Sequence, residues 1–173
     1  MPKWKTTTTF ALCAALLGAC GGEKGSGPPT PAPSAETPRE AITFGTGTGH
    51  VEVTAPEPQT FDAPLDVDEG NEFDPVDGEA GLTFQTEDGR GLQVTLYFGR
   101  GPFTGEVDAF IAVVTGDDPT NDRYVDFIHT ECTVLVESFS DAGVEGSFDC
   151  PGLPSFVEDG VTIDARGTFS AAP

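Results

Sequence analysis

No lysine follows Lys24 in this 173-residue chain. From residue 40 to 173 the only lysine or arginine residues are Arg90, Arg100, Arg123 and Arg166. They face 27 acids, for a formal charge of −23. A surface this negative repels nucleic acid and anionic lipid headgroups, so a DNA or RNA role is not expected. Tryptophan and methionine occur once each, as Trp4 and Met1, and tyrosine twice, as Tyr97 and Tyr124. That leaves little from which to build the aromatic cleft of a glycosidase. No apolar run reaches the roughly 20 residues that cross a bilayer as a helix. No segment after Pro38 keeps a 3.6-residue apolar period, so helices are not expected. A GxSxG elbow is absent, and no Gly-Lys-Ser/Thr follows the Gly-rich stretch at 45–49. The two histidines, His50 and His129, read as surface or edge residues rather than as the base of a triad. The chain therefore reads as non-catalytic. A secreted hydrolase using paired carboxylates is the alternative from another class.

The positive charge that does exist is concentrated at the start. Lys3 and Lys5 precede an apolar run at 10–19 that closes on Gly18 and Ala19 before Cys20. A basic start, a short apolar core and a small-residue end form a signal peptide. Leu17-Gly18-Ala19-Cys20 resembles the bacterial lipobox. The resemblance implies that residues 1–19 are removed and that Cys20 is lipidated and becomes the first residue of the mature chain. Cys13 leaves with the leader. Several acyl chains anchor where one does not, each buried CH₂ contributing about 0.8 kcal/mol. Gly21 stands where some such proteins carry the Asp that retains them on the inner membrane. The resemblance thus implies the outer membrane in a host with two membranes, and the outer face of the cell membrane otherwise. Plain secretion, with cleavage elsewhere, is the competing expectation. Residues 20–39 are dominated by Gly, Pro and Ser, the composition of a tether that mixes coil with polyproline II.

Residues 40–173 have the size of one domain. Apolar residues there alternate with period two. Strands are expected at 41–44 and 50–54, split by Gly45-Thr46-Gly47-Thr48-Gly49. Residues 62–78 are poor in apolar side chains and read as a long surface loop. Leu82 and Phe84 alternate before Asp88-Gly89, and Leu92, Val94, Leu96 and Phe98 after it, which predicts a tight hairpin. Residues 107–115 are the most apolar stretch and should form a central strand. A turn at 116–122 and a short strand at 124–128 follow. The last strand, 161–171, points Ile163, Ala165, Gly167 and Phe169 one way and Thr162, Asp164, Arg166 and Thr168 the other. Together these predict an all-β domain, a single antiparallel sandwich or partly closed barrel of about eight strands.

Cys132 and Cys150 are nearly equidistant from a turn at Ser140-Asp141-Ala142-Gly143. They can lie opposite each other across a hairpin, within disulfide range. Export to an oxidising compartment makes this bond the expectation. The hairpin and last strand resemble a loose group of small bacterial lipoproteins with a β domain, a C-terminal cysteine pair and a GTF strand. The matching residues are Cys132, Gly146, Phe148, Cys150 and Gly167-Thr168-Phe169. The group carries no established activity, so the likeness bears on fold alone.

The acids are spread along the whole domain, as in proteins kept soluble in salty surroundings. One stretch is denser. Asp66, Asp68, Asn71, Asp74 and Asp77 offer the oxygen ligands that Ca²⁺ takes, although Gly70 and Asn71 break the EF-hand order. Asp117, Asp118, Asn121 and Asp122 form a poorer second cluster. Ca²⁺ is the one cofactor these patterns admit. The expected role is a non-catalytic envelope or surface lipoprotein, with the membrane and a protein or envelope polymer as partners. A calcium-dependent adhesion module is its nearest rival.

Overall fold

The computed structural model describes residues 40–99, 103–116, 122–126 and 132–173, and all regular structure in them is β. The leader, Cys20, the tether, Arg100, most of the second acidic cluster (Asp117, Asp118 and Asn121) and His129 lie outside the described residues. The strands are β1 (Ile42–Thr43), β2 (Thr46–Ala55), β3 (Gln59–Pro64), β4 (Glu72–Asp74), β5 (Glu79–Gln85), β6 (Gly91–Tyr97), β7 (Gly105–Val114), β8 (Arg123–Asp126), β9 (Thr133–Ser140), β10 (Gly143–Pro154) and β11 (Thr162–Ala172). Eight of them have six or more residues; β1 and β8 overlap the short strands expected at 41–44 and 124–128, and β3 and β4 are the additions that alternation alone does not reveal.

All pairings are antiparallel, in the order β1-β4-β5-β6-β7-β9-β10-β11-β2-β3, with β8 also on β7. β7 belongs to two sheets. Residues 105–107 pair with β9, and residues 108–114 pair with β6. The strand expected at 107–115 is thus central. Two bridges tie the far corners. Leu65, just past β3, bridges Phe84 of β5, and Tyr124 of β8 bridges Ser155, just past β10. The result is the expected antiparallel all-β fold, consistent with a sandwich or a partly closed barrel.

The core is one continuous cluster between the sheets. Its organising contact lies between β10 and β11. Gly146 pairs with Phe169, and Phe148 pairs with Gly167. Each ring lies over the glycine opposite. A side-chain carbon placed on Gly146 would fall 2.5 Å from Phe169 Cζ, and one on Gly167 would fall 2.8 Å from Phe148 Cε1. The repeated G-x-F spacing makes the packing reciprocal, because antiparallel register matches the first position of one strand to the third of the other. At the sandwich's end, Phe73, Phe98, Phe103 and Phe139 form a second aromatic group with centroids 4.9 to 6.2 Å apart.

The cysteine hairpin forms as expected, with a feature the sequence reading lacks. From the turn, Gly143 pairs with Ser140, and Glu145 with Ser138. Continued unbroken, that register would set Cys150 opposite Thr133. A bulge at Glu137 shifts it, so that Gly146 meets Val136 and Asp149 meets Thr133. The extra residue brings Cys132 opposite Cys150, and the two are bonded with their Cα atoms 4.1 Å apart. It also puts Val134, Val136 and Phe139 on the buried face despite their broken spacing.

Two expectations are corrected. The Gly-Thr alternation at 45–49 is not a break, since β2 runs through it from Thr46. Gly47 and Gly49 take inward positions, and the space over Gly49 is filled by Phe84 and Leu92 from the facing sheet, 3.0 and 3.1 Å from where its side chain would start. Residues 62–78 are not one loop, because β3 extends to Pro64 and β4 occupies Glu72–Asp74. Leu65 and Phe73 are buried anchors too widely spaced to register as a pattern. Pro151 lies within β10. β10 passes through it by a register shift between Cys150 and Leu153, where a missing N–H does no harm.

The hairpin at Asp88-Gly89 turns through residues 86–90, with Gly89 at φ 85°. Arg90 Nε donates to both Asp88 oxygens at 3.0 and 3.1 Å, and the Thr86 hydroxyl donates to Asp88 as well. Arg90 also lies 5.1 Å from the Phe61 ring centroid.

Gly146→Ala and Gly167→Ala should each lower stability by about 1–3 kcal/mol, since the added methyl has nowhere to go. Gly81→Ala, with nothing within 4 Å of its added carbon, should stay within about 0.5 kcal/mol. Urea unfolding of the three variants checks this, and equal losses in all would refute the packing account. Hydrogen bonds from Arg90 and Thr86 hold the Asp88 carboxyl down to about 2, against an ordinary 3.8. Its folded value is the lower one, so its contribution is whole above about pH 4 and fades as pH falls through about 2. NMR titration should find the midpoint near 2, and Arg90→Ala should move it toward the ordinary value.

Candidate functional site

The acidic stretch closes an exposed part of a sheet rather than forming a free loop. β4 covers only residues 79–81 of β5. Beyond them, Asp66 N donates to Thr83 O at 2.8 Å, and Thr83 N donates to Asn71 Oδ1 at 2.6 Å. Asn71 is buried, at 3% exposure. Its Nδ2 donates to the Asp66 and Glu69 carbonyls at 2.5 and 3.1 Å, and its own carbonyl accepts from Phe44 N at 2.9 Å. The side chain does the work of a missing strand.

This arrangement divides the five candidate ligands. The Asn71 side chain faces Thr83. Asp66 Oδ1 accepts from Asp68 N at 3.1 Å, and Asp74 Oδ1 accepts from Val76 N at 2.7 Å, both local turn bonds. Asp68 and Asp77 are exposed. Among the described residues, no three His, Cys, Asp or Glu side chains come together in a way that could hold a metal ion. Asp74 and Asp77 do share the rim of an open depression of about 250 Å³ with Glu72 and Glu79, floored by Gly70 and Gly81. Glu72 and Glu79 went unnoticed in the sequence because strand pairing, not spacing, brings them there. Partial burial and, less, the Glu79 charge push the Tyr97 hydroxyl above its ordinary range.

His50 is not solitary. Its Nδ1 lies 2.6 Å from Asp62 Oδ1 across the β2–β3 pair. Thr168 stands opposite His50 on β11, and Ser147 opposite Thr168 on β10. The order carboxylate, imidazole, hydroxyl resembles a triad in composition. However, the His50 and Asp62 side chains are 44% and 73% exposed, so water reaches the pair. Beside it, Arg166 donates to both Glu52 oxygens at 2.8 and 3.0 Å and holds that carboxyl below its ordinary value. A second open depression, of about 280 Å³, lies among Thr46, Ser138, Ser140, Gly143, Glu145 and Ser170. At the other end of the wide sheet, Phe156 and Val157 are 66% and 47% exposed. Their loop is fixed by Phe156 N donating to Arg123 O at 2.8 Å. No family model, curated protein or solved structure matches this chain.

With its candidate ligands divided, the domain should show no preference among divalent ions. At constant high ionic strength, Ca²⁺ and Mg²⁺ should shift the thermal midpoint equally. A saturable rise with Ca²⁺ alone, lost in an Asp66→Asn, Asp68→Asn pair, would show that the segment regroups around the ion.

Proposed function

We propose that this chain is an exported, lipid-anchored and non-catalytic component of the bacterial cell envelope, whose β domain binds a protein or an envelope polymer. The observation that carries the reading is the apolar run ending in Leu17-Gly18-Ala19-Cys20, followed at once by a Gly/Pro/Ser-rich stretch. The bonded Cys132–Cys150 pair supports it, because such bonds persist in oxidising compartments. Exposed Phe156 and Val157 favour a protein among the partners, since apolar side chains adjacent on a surface are what a protein interface covers. The rival readings have less behind them. The calcium ligands are divided, and the His50–Asp62 pair is exposed to water.

Growth with labelled palmitate tests the anchor directly. The full chain, expressed in a bacterial host, should incorporate label, as should Cys13→Ala. Cys20→Ala should incorporate none and should leave the membrane fraction. Label retained by Cys20→Ala, or absent from the native chain, would overturn the proposal.

A further inference from the structure

We propose, resting on the reading above that the β domain binds a protein, that Phe156, Val157 and Tyr124 form its docking surface. The partner is a basic protein segment that carries apolar side chains.

Among the described residues the exposed large apolar side chains are Val67, Val76, Leu135, Phe156 and Val157. Phe156 is the one aromatic in that set, and only Phe156 and Val157 are neighbours in the chain. Their loop is built to hold them out. Phe156 N donates to Arg123 O, and Ser155 N to Val161 O, both at 2.8 Å. Ser155 Oγ accepts from Val157 N at 3.2 Å and from Glu158 N at 3.0 Å. Every backbone N–H from 155 to 158 is thus satisfied within the fold. Tyr124 bridges Ser155 and packs, partly buried, against the core. An apolar surface that is already ordered loses less freedom when a partner covers it. Carboxylates from three separate segments converge on the same place. Burial, and then the charges of Asp122, Glu158 and Glu57, push the Tyr124 hydroxyl above its ordinary value. All three acids are exposed, as are Asp159 and the prolines on either side of Glu57. Arg123, beside Tyr124 in β8, sends its guanidinium to Gln93 on β6, where Nη2 donates to Oε1 at 2.9 Å.

The combination of apolar centre and acidic rim selects the partner. An apolar core inside a polar rim is the ordinary anatomy of an interface. A rim of one sign steers a partner of the other and fixes its register. The exposed Phe156 ring also offers its face to an ammonium or guanidinium group. A segment with Lys or Arg flanking aliphatic or aromatic residues meets all three conditions. A second copy of this chain does not, because it would set Asp122, Glu158 and Glu57 against acids of the same sign.

The test uses the full chain as Cys13→Ala, Cys20→Ala, with the disulfide intact. No lipid is involved, so failure of the palmitate experiment would leave this measurement standing, and failure here would leave the anchor standing. The probes are fluorescent peptides of equal length that alternate Lys with Leu, Lys with Ser, or Glu with Leu, and the readout is anisotropy at 150 mM NaCl. The Lys/Leu peptide should bind about ten-fold more tightly than the Lys/Ser peptide, and the Glu/Leu peptide should not bind. Phe156→Ser, Val157→Ser should weaken Lys/Leu binding about ten-fold and leave Lys/Ser binding unchanged. Glu57→Gln, Glu158→Gln, Asp159→Asn should weaken Lys/Leu binding about as much. Asp68→Asn, Glu69→Gln, Glu72→Gln, the same change of charge around β4, should alter it less than about two-fold. All these side chains are exposed, so the thermal midpoints should stay close to that of the parent. Equal binding of the Lys/Leu and Lys/Ser peptides, equal loss in both charge sets, or no loss in Phe156→Ser, Val157→Ser would overturn the proposal. So would self-association of the free protein, or binding to phosphatidylglycerol vesicles, that the same pair abolishes, because the surface would then serve a second copy or a membrane.

Discussion

Two phenylalanines lying over two glycines at the centre of the wide sheet fix nearly everything around them. Phe148 and Phe169 occupy space that side chains at Gly167 and Gly146 would need. β10 and β11 therefore have one register that packs, because a slip of one residue would turn one strand's ring away from the core, and a slip of two would set glycine against glycine or ring against ring. From β11 that register passes to β2, where Gly49 stands beside Phe169, and from β10 it passes to β9. The bulge at Glu137 then reconciles the ladder with the turn, and the cysteines meet because of it. The disulfide records the register rather than choosing it, since burial of Val134 and Val136 already requires the same alignment.

Charge has a separate role from packing. The acids stand on outward positions, and the ion pairs described for Arg90 and Arg166 are exposed and local, of the sort that contributes little to stability. The cost of so many like charges is mutual repulsion, which salt screens. The sandwich tolerates this because its core is continuous and its inward positions are apolar or glycine. Only Asn71 among the described buried side chains is polar, and it is fully occupied in completing a sheet.

Much of this architecture was legible in the residues. Alternation located the long strands other than β3, Asp88-Gly89 located a hairpin, and the cysteine spacing located a bond. What escaped shares one cause: the information lay in the partner strand. Thr-Gly repeats look like a break until Phe84 and Leu92 are seen above Gly49. Glu72–Asp74 is too short to alternate and is a strand only because β1 and β5 flank it. The candidate metal segment is divided for a similar reason. Its carboxylates are close in sequence, but Asn71 turns inward to satisfy Thr83, and that demand comes from β5. The His50–Asp62 pairing crosses two strands and has no local signal. The exposed pair Phe156-Val157 was readable as residues but not as exposed, since exposure depends on β8 and the loop's fixed course.

β7 gives the molecule its mechanical character. Residues 105–107 hydrogen-bond into one sheet and 108–114 into the other, so the sandwich is one ribbon folded across a strand rather than two plates held by grease. There is no seam along which the halves can part. Pulling them apart means tearing a ladder at residues 105–107 or at 108–114, and either tear bares a polar edge next to the core. Hydrogen-bond continuity of this kind makes opening all-or-none, so amide protons in both sheets share one slowest exchange rate.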